Sequence, residues 1–281
     1  MHPSVRRAIP SPIYRKLRQR RIHQRIAAFE PRQVEHVYGG ARLRINLRDA
    51  LAEGWYDHDW GSQPEIEALK RGRLVPGATV FDLGAHQAIV ALMLAREVGP
   101  EGAVIAVEAE PHNVAVARTN IDLNSATNIV VVAAAVSDKV GHAFFSEGLN
   151  GAVLPGGRTG KIRVDAVTVD ELARHHGSPD VVFVDVEGYE ELALRGATET
   201  LDAKETDFFV EIHDAATLGA CGGDARGVAG HFVSRGYECL TAPASDGPLE
   251  GDFRPIDPML LDRGERCYLI AYAGRRSQAG S

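Results

Sequence analysis

Four apolar runs in this chain end in side chains that can do chemistry. The run Val80-Phe-Asp-Leu-Gly-Ala-His86 supplies Asp82 and Gly84, and the run 103–107 is followed by Glu108. Asp185 and Glu187, with Gly188 next, close the run 181–184, and Glu211 and His213 close the run 208–210. Strand side chains alternate, so Asp185 and Glu187 share a side if extended geometry persists, and Glu211 and His213 repeat the arrangement. Three carboxylates and an imidazole at one sheet edge could orient an acceptor hydroxyl and take its proton. His213 is the better-matched base near neutral pH. The same set could coordinate a hard divalent cation, or the acids could simply cap helices.

The first two runs form a strand–turn–helix–strand–acid unit, the device by which α/β folds hold the adenosine half of a cofactor. The glycine lets backbone approach the ligand. Glu108 stands about twenty residues on, where a ribose-binding acid belongs. A nicotinamide dinucleotide asks for G-x-G-x-x-G, but Gly84-Ala-His-Gln-Ala-Ile-Val90 has one glycine, and Asp82 would repel a pyrophosphate. S-adenosylmethionine has no phosphate and carries a sulfonium and an amine that tolerate carboxylates, so it is the expected cofactor. The plain alternative is a strand-to-helix turn with no ligand. Pro111, His112 and Asn113 open the next helix, and Asn113 reads as a first-turn hydrogen bonder rather than a ligand.

Elements of a particular kind must carry these residues. Apolar runs at 79–82, 103–107, 129–136, 180–186 and 207–212 read as strands buried on both faces. Helical stretches fall at about 87–98, 111–124, 189–201 and 224–235, which implies right-handed βαβ units and a doubly wound, mainly parallel α/β sheet. Ala143-Phe-Phe145 suggests a β excursion after the Gly141 turn. The segments 237–241 and 266–272 lack an intervening helix and are expected to close the sheet as an antiparallel C-terminal pair. Upstream, 34–47 alternates around Gly39-Gly40 and predicts a hairpin. Trp55-Tyr-Asp-His-Asp-Trp-Gly61 is placed on a loop, and 65–73 has helical spacing behind Pro64. Trp55, Tyr56, His58 and Trp60 form either an acceptor-side lid or an anchor for this lead-in.

Composition is that of an ordinary globular chain: 281 residues, 25% charged and 44% hydrophobic, net charge −7. No run approaches the roughly 18 apolar residues of a membrane span, and the N-terminus has no apolar signal-peptide core. Cys221, Cys239 and Cys267 are odd in number and widely spaced, which indicates neither a disulfide framework nor a metal knuckle. Reducing cytosol is the expected compartment, and no metal ligands are assigned. Residues 1–25 hold eight Arg or Lys (Arg6, Arg7, Arg15, Lys16, Arg18, Arg20, Arg21, Arg25) and no acid. A solvated helical arm starting after Pro12 is preferred to a nucleic-acid contact, because aromatic residues for base stacking are scarce there.

The text VFDLGAH, VIAVEAEPHN, AAVSD, VDAVTVDEL, VDVEGYEELALRGA and FFVEIH resembles the FkbM family of S-adenosylmethionine-dependent methyltransferases over roughly residues 65–213. The resemblance implies a class I methyltransferase (Rossmann-like) fold with a seven-stranded sheet, and O-methylation of a hydroxyl on a sugar or natural-product small molecule. It implies that Asp82, Gly84 and Ala85 line the methionine end of the cofactor, with His86 in the same turn. Glu108 takes the ribose with Ala109 beside it, Ala135 to Ser137 lies near adenine, and Asp185 and Glu187 face the methyl group and acceptor. Glu187, His213 and Glu211 are the expected catalytic residues. The chain departs from the family pattern in three places. Ala88 stands where a second glycine is usual, His86 where Asn is common, and Phe183 where a lysine often precedes the family's Asp. The expected organisation is a basic arm (1–30), a lead-in (31–62), the cofactor-binding domain (63–275) and a flexible tail (276–281). Rival readings are a binding or scaffold protein that kept the fold but lost catalysis, for which Ala88 is the motivating feature, a nicotinamide oxidoreductase, and a nucleic-acid methyltransferase recruited by the arm.

Overall fold

The computed structural model describes residues 24, 26, 28–145, 162–244 and 253–274. The expected basic arm falls almost wholly outside the described residues, and the tail at 276–281 falls wholly outside them.

Strands β1 (Arg32–Tyr38) and β2 (Ala41–Leu47) pair antiparallel across Gly39 and Gly40, whose φ angles of +54° and +81° suit a tight reversal. Helices α1 (Ala50–Tyr56) and α2 (Pro64–Leu69) follow. Trp55 and Tyr56 therefore end a helix instead of lying on the expected loop. The reason is Asp49, whose Oδ1 accepts the Leu51 and Ala52 amides at 3.0 and 2.8 Å and starts the helix early enough to include them.

Downstream come β3 (Thr79–Leu83), α3 (Ile89–Val98), β4 (Ala103–Glu108), α4 (Pro111–Leu123), β5 (Ile129–Ala133), β6 (Ala135–Val136), β7 (Gly141–Phe145) and β8 (Ile162–Val167). Then follow α5 (Val169–His176), β9 (Val181–Val184), α6 (Glu190–Arg195), α7 (Thr198–Ala203), β10 (Asp207–Ile212), α8 (Ala215–Ala220) and α9 (Ala225–Val233). The last elements are β11 (Glu238–Pro243), β12 (Arg254–Pro255), α10 (Pro258–Asp262) and β13 (Cys267–Tyr272). The main sheet runs β12-β11-β13-β10-β9-β3-β4-β5. Neighbours from β10 through β5 pair parallel, and β13 pairs antiparallel with both β10 and β11. Among the described residues the sheet thus has eight strands where seven were expected, the addition being the two-residue edge strand β12. A short helix, α10, also lies between β11 and β13, where none was expected. The run 129–136 splits at Ala134, whose amide turns to the Glu108 carbonyl at 3.0 Å. Its last two residues then join β8 and β7 in a separate sheet of order β6-β8-β7.

The period of two along each strand decides which face each site residue meets. Val80, Val181, Phe183, Phe209 and Ile270 pack into one apolar cluster with α1, α2, α3 and α4. Phe81, Leu83, Val182, Val184, Phe208, Val210 and Ile212 pack into another with α5 through α10. Asp82 and Glu211 have the parity of the first face. Burying side chains of this size contributes about 1.5–3 kcal/mol each, against at most about 1 kcal/mol for an exposed ion pair. The two apolar layers therefore hold the sheet. The hairpin is fastened by asparagines. Asn120 Oδ1 accepts the Asn46 amide at 2.8 Å while its Nδ2 donates to the Gln87 carbonyl at 2.9 Å, and Asn124 brackets Arg44 in the same manner.

Candidate active site

A cleft of about 220 Å³ opens at the carboxyl ends of β3, β4 and β9, where open α/β sheets bind ligands. Its turn, 84–88, is set by a crowded backbone. Gly84 has φ +88°, and a Cβ there would stand 1.8 Å from the Asp185 carbonyl oxygen. The glycine is thus required by the end of β9, whereas the sequence pointed to a ligand. His86 and Ala88 also have left-handed φ angles, +48° and +66°, at a cost of roughly 1–2 kcal/mol each for residues with a Cβ. The Ala88 methyl is buried in the first apolar cluster and is not among the cleft-lining groups, so it packs into the core and not against the cleft. The turn is held by its amides. Gly84 and Ala85 donate to the Val107 carbonyl at 2.9 and 3.0 Å, and His86 donates to Glu108 Oε2 at 2.8 Å.

Two carboxyls occupy the inner end. Glu108 is buried, and its Oε1 also accepts the Glu110 amide at 2.7 Å. Burial still pushes it up to about 7 against those bonds. Asp82 is buried beside it, pushed up to about 7 by burial first and by the Glu108 charge second. Asp82 Oδ2 has no hydrogen-bond partner. Asn113 lines the cleft and accepts Gln87 Nε2 at 3.3 Å, so it is the expected hydrogen bonder and a wall residue as well.

At the other end the chain leaves extended geometry. β9 stops at Val184 and Glu187 has φ +49°, so the expected persistence of the strand to Glu187 does not hold. Its carboxylate nevertheless comes within 3.4 Å of His213 Nε2, and Asp185 Oδ1 lies 3.9 Å from the same nitrogen. His213 Nδ1 donates to Glu190 Oε1 at 2.6 Å, and Glu190 is fully buried. Burial opposes charge on the imidazole, but the bonds to Glu187 and Glu190 outweigh it and push His213 up to about 11. That direction favours the imidazolium over the neutral ring a base requires, against the sequence expectation for His213. Glu211 pairs with Arg266 Nη1 at 3.1 Å and stands behind the cleft wall. Burial, and then the Glu211 charge, hold the Asp185 carboxyl well above the usual carboxylate range. Asp185, Glu211 and His213 offer ligand atoms within 4.8 Å of one another. His213 Nδ1 is taken by Glu190, and Glu187 Oε2 lies 3.4 Å from Nε2, the nitrogen such a cation would need.

Of the residues singled out from sequence, Asp82, Gly84, Ala85, His86, Glu108, Ala109, Ala135, Asp185 and Glu187 line this one cleft. Ser137 does not. Its amide donates to the Val167 carbonyl and its hydroxyl to Asp138, which ties it to the small sheet. Glu211 and His213 form a second layer behind Asp185 and Glu187. Sequence reasoning missed Glu190, the buried partner of His213, although it stands three residues after Glu187 in the quoted motif. It also missed the wall positions of Phe183 and Tyr189.

An acid-rich cleft at the parallel strand ends, beside a strained strand-to-helix turn, is the candidate ligand site of this α/β domain. The chain belongs to the FkbM methyltransferase family: the family described as "Methyltransferase FkbM domain" matches residues 82–266. It is 41% identical over 56 residues to an arsenite methyltransferase of Halobacterium salinarum, a stretch covering 20% of this chain and 14% of that protein. In structure it is similar to an FkbM methyltransferase of Methylobacillus flagellatus, with TM-score 0.45 and 16% identity over 69% of this chain and 43% of that one. An O-methyltransferase of Thermotoga maritima gives TM-score 0.45 and 11% identity over 88% of this chain and 79% of that one. The chain thus spans less than half the length of the first two of these relatives. No helix among the described residues is long and apolar enough to cross a membrane.

Proposed function

We propose that this chain is an S-adenosylmethionine-dependent O-methyltransferase acting on a hydroxyl of a sugar or natural-product small molecule. The observation that carries this reading is the unpartnered Oδ2 of buried Asp82, in a cleft lined by four carboxylates (Asp82, Glu108, Asp185, Glu187) and by no described Lys or Arg. Such a lining repels phosphate and favours a cation. It argues against a dinucleotide, and equally against a nucleic-acid acceptor.

The residues fit the cofactor. Asp82 would take the methionine amine, which supplies the missing donor. Glu108, its oxygens aimed by two backbone amides, would accept from ribose hydroxyls. Ala109, Ala135 and Val136 give an apolar surface for adenine. When bound, the cofactor supplies an electrophilic methyl on a cationic sulfonium.

Asp185 and Glu187 hold the acceptor hydroxyl at the outer end, and positioning is their main contribution. Of the two, Glu187, whose carboxylate faces His213 Nε2 at 3.4 Å, is placed to receive the hydroxyl proton, since Asp185, held well above the usual carboxylate range, keeps its own. His213, gripped by Glu190, is a fixed cation that anchors Glu187. The free cysteines fit a cytoplasmic location. The rival of a binding or scaffold protein that kept the fold and lost catalysis rested on Ala88, whose methyl lies in the core. Incubation of the protein with S-adenosylmethionine and hydroxylated sugars or polyketide scaffolds tests the reading. Acceptor-dependent release of S-adenosylhomocysteine is expected. Cofactor binding without release on any hydroxylated acceptor would overturn the O-methyl assignment.

A further inference from the structure

The family match begins at Asp82, yet one wall of the cleft is built upstream of it by Trp55, Tyr56 and Trp60. That wall is braced on both sides. The Tyr38 hydroxyl donates to the Tyr56 carbonyl, Trp60 Nε1 donates to the Trp55 carbonyl at 2.9 Å, and the Trp60 amide donates to the Val37 carbonyl at 2.8 Å. At the start of α1, Asp49 Oδ2 accepts Gln87 Nε2 at 2.8 Å and His112 Nε2 at 2.9 Å. The lead-in segment is therefore joined to the 84–88 turn and to the first turn of α4 by buried polar bonds.

The most direct of these links runs through His86. The Tyr56 hydroxyl lies 2.7 Å from His86 Nδ1, and the His86 ring centroid lies 5.2 Å from that of Trp55. The backbone of His86 holds a left-handed φ, and its amide is the one that grips Glu108 Oε2. A strained conformation persists only where its surroundings over-determine it. We propose that Tyr56 is a positioning residue: its hydroxyl fixes the His86 ring, and through the His86 amide it fixes the Glu108 carboxylate. The aromatic lead-in is thus a working part of the cofactor site and not only an anchor. The inference rests on the reading of the cleft as an S-adenosylmethionine site.

The chain's two tryptophans both line the cleft, so their fluorescence reports its occupancy. The test titrates the full chain with S-adenosylhomocysteine. Wild type gives a saturable change. Tyr56→Phe removes one hydroxyl and raises Kd about 3- to 10-fold, the range for one lost hydrogen bond. In a His86→Ala background the same change adds less than about 2-fold, because the partner is already gone. A merely structural tyrosine would lower the melting temperature and leave Kd of the folded protein unchanged, and that result overturns the proposal. Should Tyr56→Phe not fold, His86→Ala alone serves, since it removes the ring that the hydroxyl fixes, keeps the amide that grips Glu108 and leaves both tryptophans to report. A raised Kd supports the proposal, and an unchanged Kd overturns it. Wild type failing to bind S-adenosylhomocysteine overturns this proposal together with the cofactor reading, whereas wild type binding with unaltered variants overturns this proposal alone.

Discussion

Asp82 and His213 are both buried and both titrate far from their ordinary values, in ways that make opposite predictions. Asp82 has an oxygen without a partner, so its charge is a liability until a cation arrives. Asp82→Asn is expected to leave the melting temperature of the ligand-free protein unchanged or higher. The same variant should weaken S-adenosylhomocysteine binding by roughly 10- to 100-fold, the worth of a hydrogen bond to a charged group. Thermal melting and calorimetry on one preparation check both halves. His213 is the reverse case, since its charge neutralises Glu190 in the interior. His213→Leu would strand that carboxylate and is expected to destabilise the fold by about 3–5 kcal/mol, read by urea unfolding. At this scale the sequence revealed strand-end acids but not their charge states. Glu187 and His213 do come together, but through a left-handed turn at Glu187 and not through the extended strand that the spacing implied. The pairing of the imidazole with Glu187 and with buried Glu190 is what favours its charged form.

Regular elements were the most legible part of the chain. Apolar runs with glycine or proline punctuation marked β3, β4, β9, β10 and the hairpin, because strands buried on both faces leave a strong local signal. What stayed hidden depended on partners distant in sequence. The run 129–136 reads as one strand, and its break at Ala134 is imposed by the Glu108 carbonyl. β8 is a strand because β6 and β7 flank it. Trp55 and Tyr56 looked like loop residues because Asp49 was not recognised as a cap. The docking of the hairpin yields a test at this scale. Asn120→Ala leaves the Asn46 amide and the Gln87 carbonyl without partners in the interior. It should cost about 1–3 kcal/mol per stranded group and loosen the wall beside the cleft, observable as faster hydrogen exchange in 41–47.

For the whole molecule, the buried acids set a pH dependence with a definite sign. Glu65, Asp82 and Glu108 are each pushed up to about 7, chiefly by burial, from unfolded values near 4. The folded state therefore binds more protons. Their contribution is complete below about pH 4 and is lost as pH rises through about 7. His213, raised to about 11, gives stability that is complete below about pH 6.5 and is lost through about 11. Acids held low by partners, such as Asp49 with its bonds to His112 and the Ala52 amide, act only below about pH 4. The ligand-free melting temperature should thus fall from pH 5 to pH 8. S-adenosylmethionine, by meeting the Asp82 charge, should raise it more at pH 8 than at pH 5. A melting curve flat or rising between those values would contradict the assignment of these carboxyls.

The most direct single measurement is a calorimetric titration of the full chain with S-adenosylmethionine at pH 8 and low salt. Saturable heat at one equivalent, reduced at least tenfold in affinity by Asp82→Asn, is the expected result. No heat at millimolar ligand, or equal affinity in wild type and variant, would contradict a cleft built around a cation at Asp82.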